Sequence, residues 1–441
     1  MYKCLLLSIS LSVICYQTYA QDKKATYFKN VTLIDGSGNP PQEHANVIIH
    51  GDTIISTSPS RHVISPYVNV IDMSGKTMMP LLISGHEHIG LLKGNTSTAD
   101  NYTHENVVRQ LKRYLHYGVG TVLSLGTDQP LVFALRDSSR RGLIPGATML
   151  TAGYGFGVKG GSPPPAFGNH TLRPETPEQA IADVDKLAAL KPDFIKIWVD
   201  DGGGSIPKVA QPVYEAIIKA AHAKGLKVAA HVYFLEDARQ LVNAGVDLLA
   251  HSIRDKEVDA ALITAMKEKG VFYIPTLSLD EYGFIYAGQP QWINDPFFIQ
   301  SLEPGVWEML TSDAYKKQQQ EDKNREKKMR AFMTAEINLR KLDSAGVNIA
   351  MGTDAGAFPI RAQGFSEHLE LQLMVEAGLS PLKVISCATL NGAVLLGIDK
   401  HTGTLSEGKK ADFMILQGDP SKDINNTRQI VEVWKNGKKA E

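Results

Sequence analysis

A join that recurs from about residue 118 constrains the fold most: a helical stretch ends, usually at a glycine, and a short apolar run follows. "HYGVGTVLSLG", "RRGLIPGATMLTAG", "KPDFIKIWVD", "AKGLKVAAH", "NAGVDLLAH", "EKGVFYIPTL" and "SAGVNIAMGTD" are seven such joins. Glycine suits the left-handed position just past a helix. The apolar runs do not alternate with polar residues, so both faces of each strand are buried, as in a parallel sheet flanked by helices. Before "GLKVAAH", Val213, Ala216, Ile217, Ala220 and Ala221 fall on one amphipathic stripe, with His222 off it and towards solvent. With "MPLLISGH" as the first strand there are eight strand–helix units, which predict an α/β chain folded as a closed (β/α)8 TIM-like barrel. An open doubly wound sheet would carry a glycine-rich fingerprint after its first strand, and "GHEHIG" is not one.

The barrel is expected over residues 79–399. Residues 21–78 and 400–441 read as short strands and turns, and are expected to form one small β-sandwich domain from both chain ends. Residues 1–20 read as a signal peptide: Lys3, an apolar stretch, then Thr18-Tyr19-Ala20, with small residues placed for cleavage after Ala20. That predicts a secreted or periplasmic protein; lipidation at Cys15 is a weaker alternative. Cys4 and Cys15 lie in the removable segment, which leaves Cys387 in a helix-like core run and no intramolecular disulfide. A formal net charge of −1 gives no reason to expect nucleic acid, and no internal apolar run reaches the length of a membrane span. A small-molecule substrate is the expected partner, and a homo-oligomer is compatible with the sequence. One long segment, Ser278 to Gly346, interrupts the pattern. Its aromatic first half suits either a lid or a packed subdomain, and its charge-rich second half suits a solvated helix.

Polar residues fall on the strand ends. His86 and His88 end the first strand and point the same way, with Glu87 opposite, because side chains alternate along a strand. Lys196 lies in the fourth strand, His231 ends the fifth, His251 the sixth and Asp354 the eighth. In a barrel these ends share one face, where active sites are built. Four imidazoles, a carboxylate and a lysine converging there suit a divalent zinc ion. His44, His50, His62, His104, His116, His368 and His401 fit no such constellation and read as surface or structural.

On these motifs, from the His-x-His of "GHEHIG" through the lysine of "FIKIWVD" and the histidines of "VAAHVY" and "LLAHSIRD" to "MGTDAG" and "GTLSEGKKADFMIL", the chain resembles the amidohydrolase superfamily. Within it, the chain is most similar to the imidazolonepropionase-like branch that includes metal-dependent Xaa-Pro and Xaa-Arg dipeptidases. The resemblance implies two divalent metal ions, zinc by ligand type, with His86, His88 and Asp354 on one and His231 and His251 on the other. It further implies that Lys196 bridges them as a carbamate formed with carbon dioxide. The alternative for Lys196 is an ion pair with Asp200 or Asp201 and a single metal. The implied reaction is hydrolysis of an amide C–N bond in a small substrate such as a dipeptide or N-acyl amino acid, by metal-activated water with Asp354 as base. Arg254 suits a substrate carboxylate, or a salt bridge to Asp255 or Glu257. Tyr233 suits a transition-state contact or plain packing, and His170 and Arg361 are weaker substrate-binding candidates on mouth loops. Two departures from relatives stand out: Ser84 where many carry aspartate, and Ser162 where dipeptidase-like relatives often carry histidine. Two alternatives remain open: a mononuclear cyclic amidohydrolase or deaminase, and a catalytically inactive metal- or ligand-binding protein.

Overall fold

A computed structural model describes residues 25–58 and 68–440. The expected signal peptide with Cys4 and Cys15, and also His62, lie outside the described residues. All eight expected strands form: Leu82–Glu87, Val119–Ser124, Thr148–Thr151, Phe194–Trp198, Lys227–His231, Leu248–Ala250, Phe272–Ile274 and Asn348–Ile349. Every pairing among them is parallel. They make two ladders, one of the first three strands and one of the last five. Individual backbone bonds cross both seams: Phe156 N donates to Lys196 O at 2.7 Å, and Gly85 N donates to Met351 O at 2.9 Å. One apolar cluster draws Ile83, Leu123, Leu150, Phe194, Ala229, Leu248, Ile274 and Ala350 from the eight strands or their ends. Leu395 and Leu396 of the helix Leu390–Leu396 join that cluster.

The helices begin and end where the sequence says they should. Thr103, Thr176 and Asp259 accept N-terminal amide hydrogens as caps, each worth about 1 kcal/mol. The glycines of the joins, Gly118, Gly142, Gly225, Gly245, Gly270 and Gly346, all have φ between 67 and 96°. The helix Gln211–Ala223 buries Val213, Ile217 and Ala221, and leaves His222 exposed on Asp247.

The chain ends meet in one eight-stranded sheet. Phe413–Leu416 pairs antiparallel with Thr77–Pro80, which pairs in turn with Thr26–Leu33. That sheet buries Phe28, Val47, Met78, Phe413 and Trp434 as a core of its own. The strand Thr77–Pro80 leads directly into the first parallel strand, so this sheet anchors the entry to the barrel-like layer.

The segment from Ser278 to Gly346 is packed helix and short turns. Tyr282, Tyr286, Ile293 and Phe298 are buried, and Trp292 packs on Phe365. The helix Arg325–Ser344 buries Ala331, Ala335, Leu339 and Leu342, and its charged side faces solvent. Of the two readings for His368, surface or structural, the fold takes the structural one: it is buried, with Nδ1 on Thr427 Oγ1 and Nε2 on the Tyr117 carbonyl, both at 2.9 Å. Cys387 is buried and free, its thiol pushed up to about 12 by burial. No helix among the described residues is long and apolar enough to cross a membrane.

Candidate metal centre

The strand ends hold strained backbone. Asp354 (φ 61°), His251 (φ 73°) and Thr276 (φ 49°) all occupy the left-handed region after the eighth, sixth and seventh strands. Each such residue costs about 1–3 kcal/mol, and such strain concentrates at functional sites. Asp354 Oδ1 stands 2.9 Å from His88 Nε2 and 3.1 Å from His86 Nε2. These three side chains offer ligand atoms within 4.8 Å of one another, a geometry that can hold a metal ion. The contact to His86 lacks hydrogen-bond geometry, and both its ring nitrogens are buried without a hydrogen-bond partner among the described residues. Buried polar atoms are nearly always satisfied, so an unmet imidazole beside a carboxylate fits the donor set of a metal ion.

The other histidines continue the cluster. The rings of His86 and His251 lie 4.6 Å apart, and those of His251 and His231 lie 4.5 Å apart. Hydrogen bonds select the nitrogens that face inward: Thr127 Oγ1 meets His88 Nδ1 at 2.6 Å, and Thr276 Oγ1 meets His251 Nδ1 at 2.9 Å. Both histidines therefore keep Nε2 for the centre. Asp200 takes His231 Nε2 at 3.0 Å, which leaves Nδ1. Lys196 is fully buried and its Nζ has no hydrogen-bond partner among the described residues; the Trp198 ring lies 5.6 Å away. The expected alternative partners are engaged elsewhere, Asp200 by His231 and Asp201 by Lys208 at 3.3 Å.

Burial sets the charges. It pushes His86 down to about 3, helped by Lys196, and it lowers His231 and His251, so these imidazoles are neutral and free to ligate. It lowers Lys196 to about 7, against the pull of Asp354. Burial opposes the charged form of Asp354, but Arg361 and the two imidazoles outweigh it and hold the carboxyl well below its ordinary range.

A cleft of about 850 Å³ adjoins the centre, lined in part by Asp200, Tyr233, Arg254, Asp280, Lys327 and Thr334. The interrupting segment thus supplies one wall. Arg254 pairs with neither expected carboxylate: Asp255 accepts from Leu235 N and Glu257 holds Lys341. Its partner is the buried Asp280, and its guanidinium lies 4.9 Å from the Tyr233 ring. Arg254→Ala should cost about 3–5 kcal/mol in a urea melt, because Asp280 is left buried without its cation. The double variant with Asp280→Ala should recover part of that loss. Arg361 bonds Asp354 Oδ2 directly rather than lining the cleft. His170 is exposed and stacks on Tyr154 at 5.0 Å, away from the lining.

Several residues escaped the sequence reading. Thr127 and Thr276 sit just past the second and seventh strands, where the strand-end rule that found the histidines would also have found them. Asp280 lies in the interrupting segment, with no spacing to mark it. Glu87 was read only as pointing away from the histidines. It is fully buried among Ser84, Tyr114, Thr353 and the Ala355 amide. Burial, and the nearby Glu367, raise its carboxyl well above the ordinary range. The packing here is tight. Gly356 (φ 85°) has room for no side chain, since a Cβ would lie 2.0 Å from the His88 carbonyl oxygen. Gly356→Ala should therefore destabilise the fold by more than about 2 kcal/mol, read from the urea midpoint.

Comparison with known proteins agrees with this geometry. The sequence profile of the amidohydrolase family matches residues 77–440. A 230-residue stretch is 31% identical to ochratoxinase of Aspergillus niger, covering 51% of this chain and 40% of that protein, so less than half of that relative's length is matched. Over 411 residues the chain is 24% identical to a 5-methylthioadenosine/S-adenosylhomocysteine deaminase of Thermoanaerobacter pseudethanolicus, covering 89% and 85% of the two chains. The crystal structure of a Xaa-Pro dipeptidase with methionine in its active site superposes with a TM-score of 0.76 at 26% identity, covering 95% of this chain and all of that one. The profile match spans most of the chain, and the chain belongs to the amidohydrolase family.

Proposed function

We propose that this chain is an exported, binuclear metal-dependent amidohydrolase that cuts the amide bond of a dipeptide or N-acyl amino acid. The observation that carries the reading is the buried, unpartnered pair His86 and Lys196 beside Asp354. Imidazoles kept neutral and a carboxylate kept ionised are the protonation states that metal ligands need. His86, His88 and Asp354 would hold one ion and His231 and His251 the second, with Lys196 as its carbamate serving both. The ions supply Lewis acidity and lower the pKa of water. Asp354, kept ionised by Arg361, receives the proton and delivers it to the leaving amine. Thr127 and Thr276 hold the rings of His88 and His251 by Nδ1, and Asp200, which only accepts, fixes the tautomer of His231. Arg254 and Tyr233 line the cleft where a substrate carboxylate would dock. The closed barrel belongs to this reading: the seam-crossing backbone bonds and the shared inner cluster support one ring.

The dipeptide substrate is supported by the structural likeness to a Xaa-Pro dipeptidase. The deaminase match over 411 residues supports a second reading, a single-metal deaminase. A screen of zinc-loaded protein against dipeptides, N-acyl amino acids and aminopurines separates them. Amine-bearing products with two zinc equivalents support the first, and ammonia release with one equivalent supports the second. Export is tested by N-terminal sequencing of protein from its native envelope: a start at Gln21 is expected, and retention of Met1 would reject it.

A further inference from the structure

The mechanism above leaves Glu87 without a role. Its Oε1 accepts from Ser84 Oγ and, at 2.8 Å, from Thr353 Oγ1; its Oε2 accepts from the Ala355 amide at 2.9 Å and from Tyr114 OH at 3.1 Å. Thr353 and Ala355 flank Asp354. The main chain is zipped at the same place, with Thr353 N and Asp354 N donating to the His86 carbonyl at 3.1 and 3.0 Å, and His88 N donating to the Ala355 carbonyl at 2.9 Å. Glu367, from the helix Phe365–Glu376, reaches the same Thr353 hydroxyl at 2.9 Å and braces it from behind.

The Ala355 amide belongs to the peptide that follows Asp354, so its orientation sets ψ of Asp354. The Thr353 side chain fixes the residue before. A non-glycine residue at φ 61° relaxes to an ordinary conformation unless both neighbours are held. Relaxation would swing the Asp354 side chain away from the two imidazoles.

We propose that Glu87 is a positioning residue whose carboxyl group clamps residues 353–355 against residues 86–88, and thereby holds Asp354 Oδ1 between His86 and His88. This rests on the metal-centre reading but not on any substrate. Glutamine at position 87 keeps the volume but puts an NH2 donor where one oxygen accepts, on one side from Ser84 Oγ and Thr353 Oγ1 and on the other from Tyr114 OH and the Ala355 amide, so one side of the clamp loses its acceptor.

The test is competition for zinc between the apoprotein and a chromophoric chelator. Glu87→Gln should weaken zinc binding by about 10- to 100-fold, the usual effect of losing an outer partner of a ligand. Once a substrate is in hand, the variant saturated with zinc should lose kcat while keeping KM. Glu87→Gln combined with Thr353→Val should weaken binding by less than the product of the single effects, because both break one clamp. Thr427→Val is the stability control: it removes a buried hydrogen bond to His368, in a contact separate from Glu87, Thr353 and Asp354. It should lower the melting temperature and leave zinc affinity alone. Wild-type zinc affinity in Glu87→Gln, or an equal loss of affinity in Thr427→Val, would overturn the proposal. A protein that binds zinc and hydrolyses no amide would reject the substrate reading while this test still decides the role of Glu87.

Discussion

Asparagine in place of Asp354 is expected to leave both metals largely bound and to cut turnover by about 10²- to 10⁴-fold or more, the usual worth of a general base. Asparagine keeps the size and one ligating oxygen, so the cluster with His86 and His88 should survive. It cannot take a proton. The sign of the pH dependence follows from the environment. Arg361 and the imidazoles hold the wild-type carboxyl well below its ordinary range, so the base is ionised throughout the neutral region. The deficit of the variant should therefore be constant from about pH 5 to 8, with no pH at which activity returns. Metal content and full kinetic profiles of both proteins decide this. An asparagine variant with both metals and near-normal turnover would show that another group is the base.

Alanine in place of Lys196 should lower zinc from two equivalents to one in protein grown with ample zinc and bicarbonate, and abolish most turnover. The amine must be neutral to attack carbon dioxide, and burial brings it from 10.5 to about 7. In metal-free wild type fed 13C-bicarbonate, a carbamate resonance should grow as the pH rises through about 7, where an ordinary lysine remains protonated. It should fade on acidification and be absent from the variant. One zinc in both proteins, with no carbamate signal, would favour the single-metal reading. The Gly126 backbone makes the site intolerant of crowding: a Cβ there would lie 2.8 Å from Lys196 Cγ and from the Trp198 ring.

Much of the layout was legible because it depends on local periodicity. Unbroken apolar runs of four to six residues bury both faces of a strand, and the glycines at Gly118 or Gly245 end helices wherever they occur. The strand-end rule then places His86, His231, His251 and Asp354 on one face without further information. The interrupting segment was less legible. An aromatic run such as Tyr282, Tyr286 and Trp292 suits a lid as well as a core, and only its partners, Phe298 and Phe365, show that it is packed. His368 was left between surface and structural for a similar reason: one isolated histidine on a helix gives no sign that Thr427 will come to meet it.

The sequence by itself determined the parallel strands, the helix ends and the residue types at the mouth, since each follows from neighbours within a few positions. The tertiary structure alone decided which of those residues satisfy one another. Arg254 chose Asp280 over the adjacent Asp255, and Lys196 was left without an anion although two aspartates follow it closely. His88 and Asp354 are 266 positions apart and meet at 2.9 Å. Such pairing depends on how strands and helices stack in space and on which polar atoms burial leaves unmet. Spacing along the chain does not encode that.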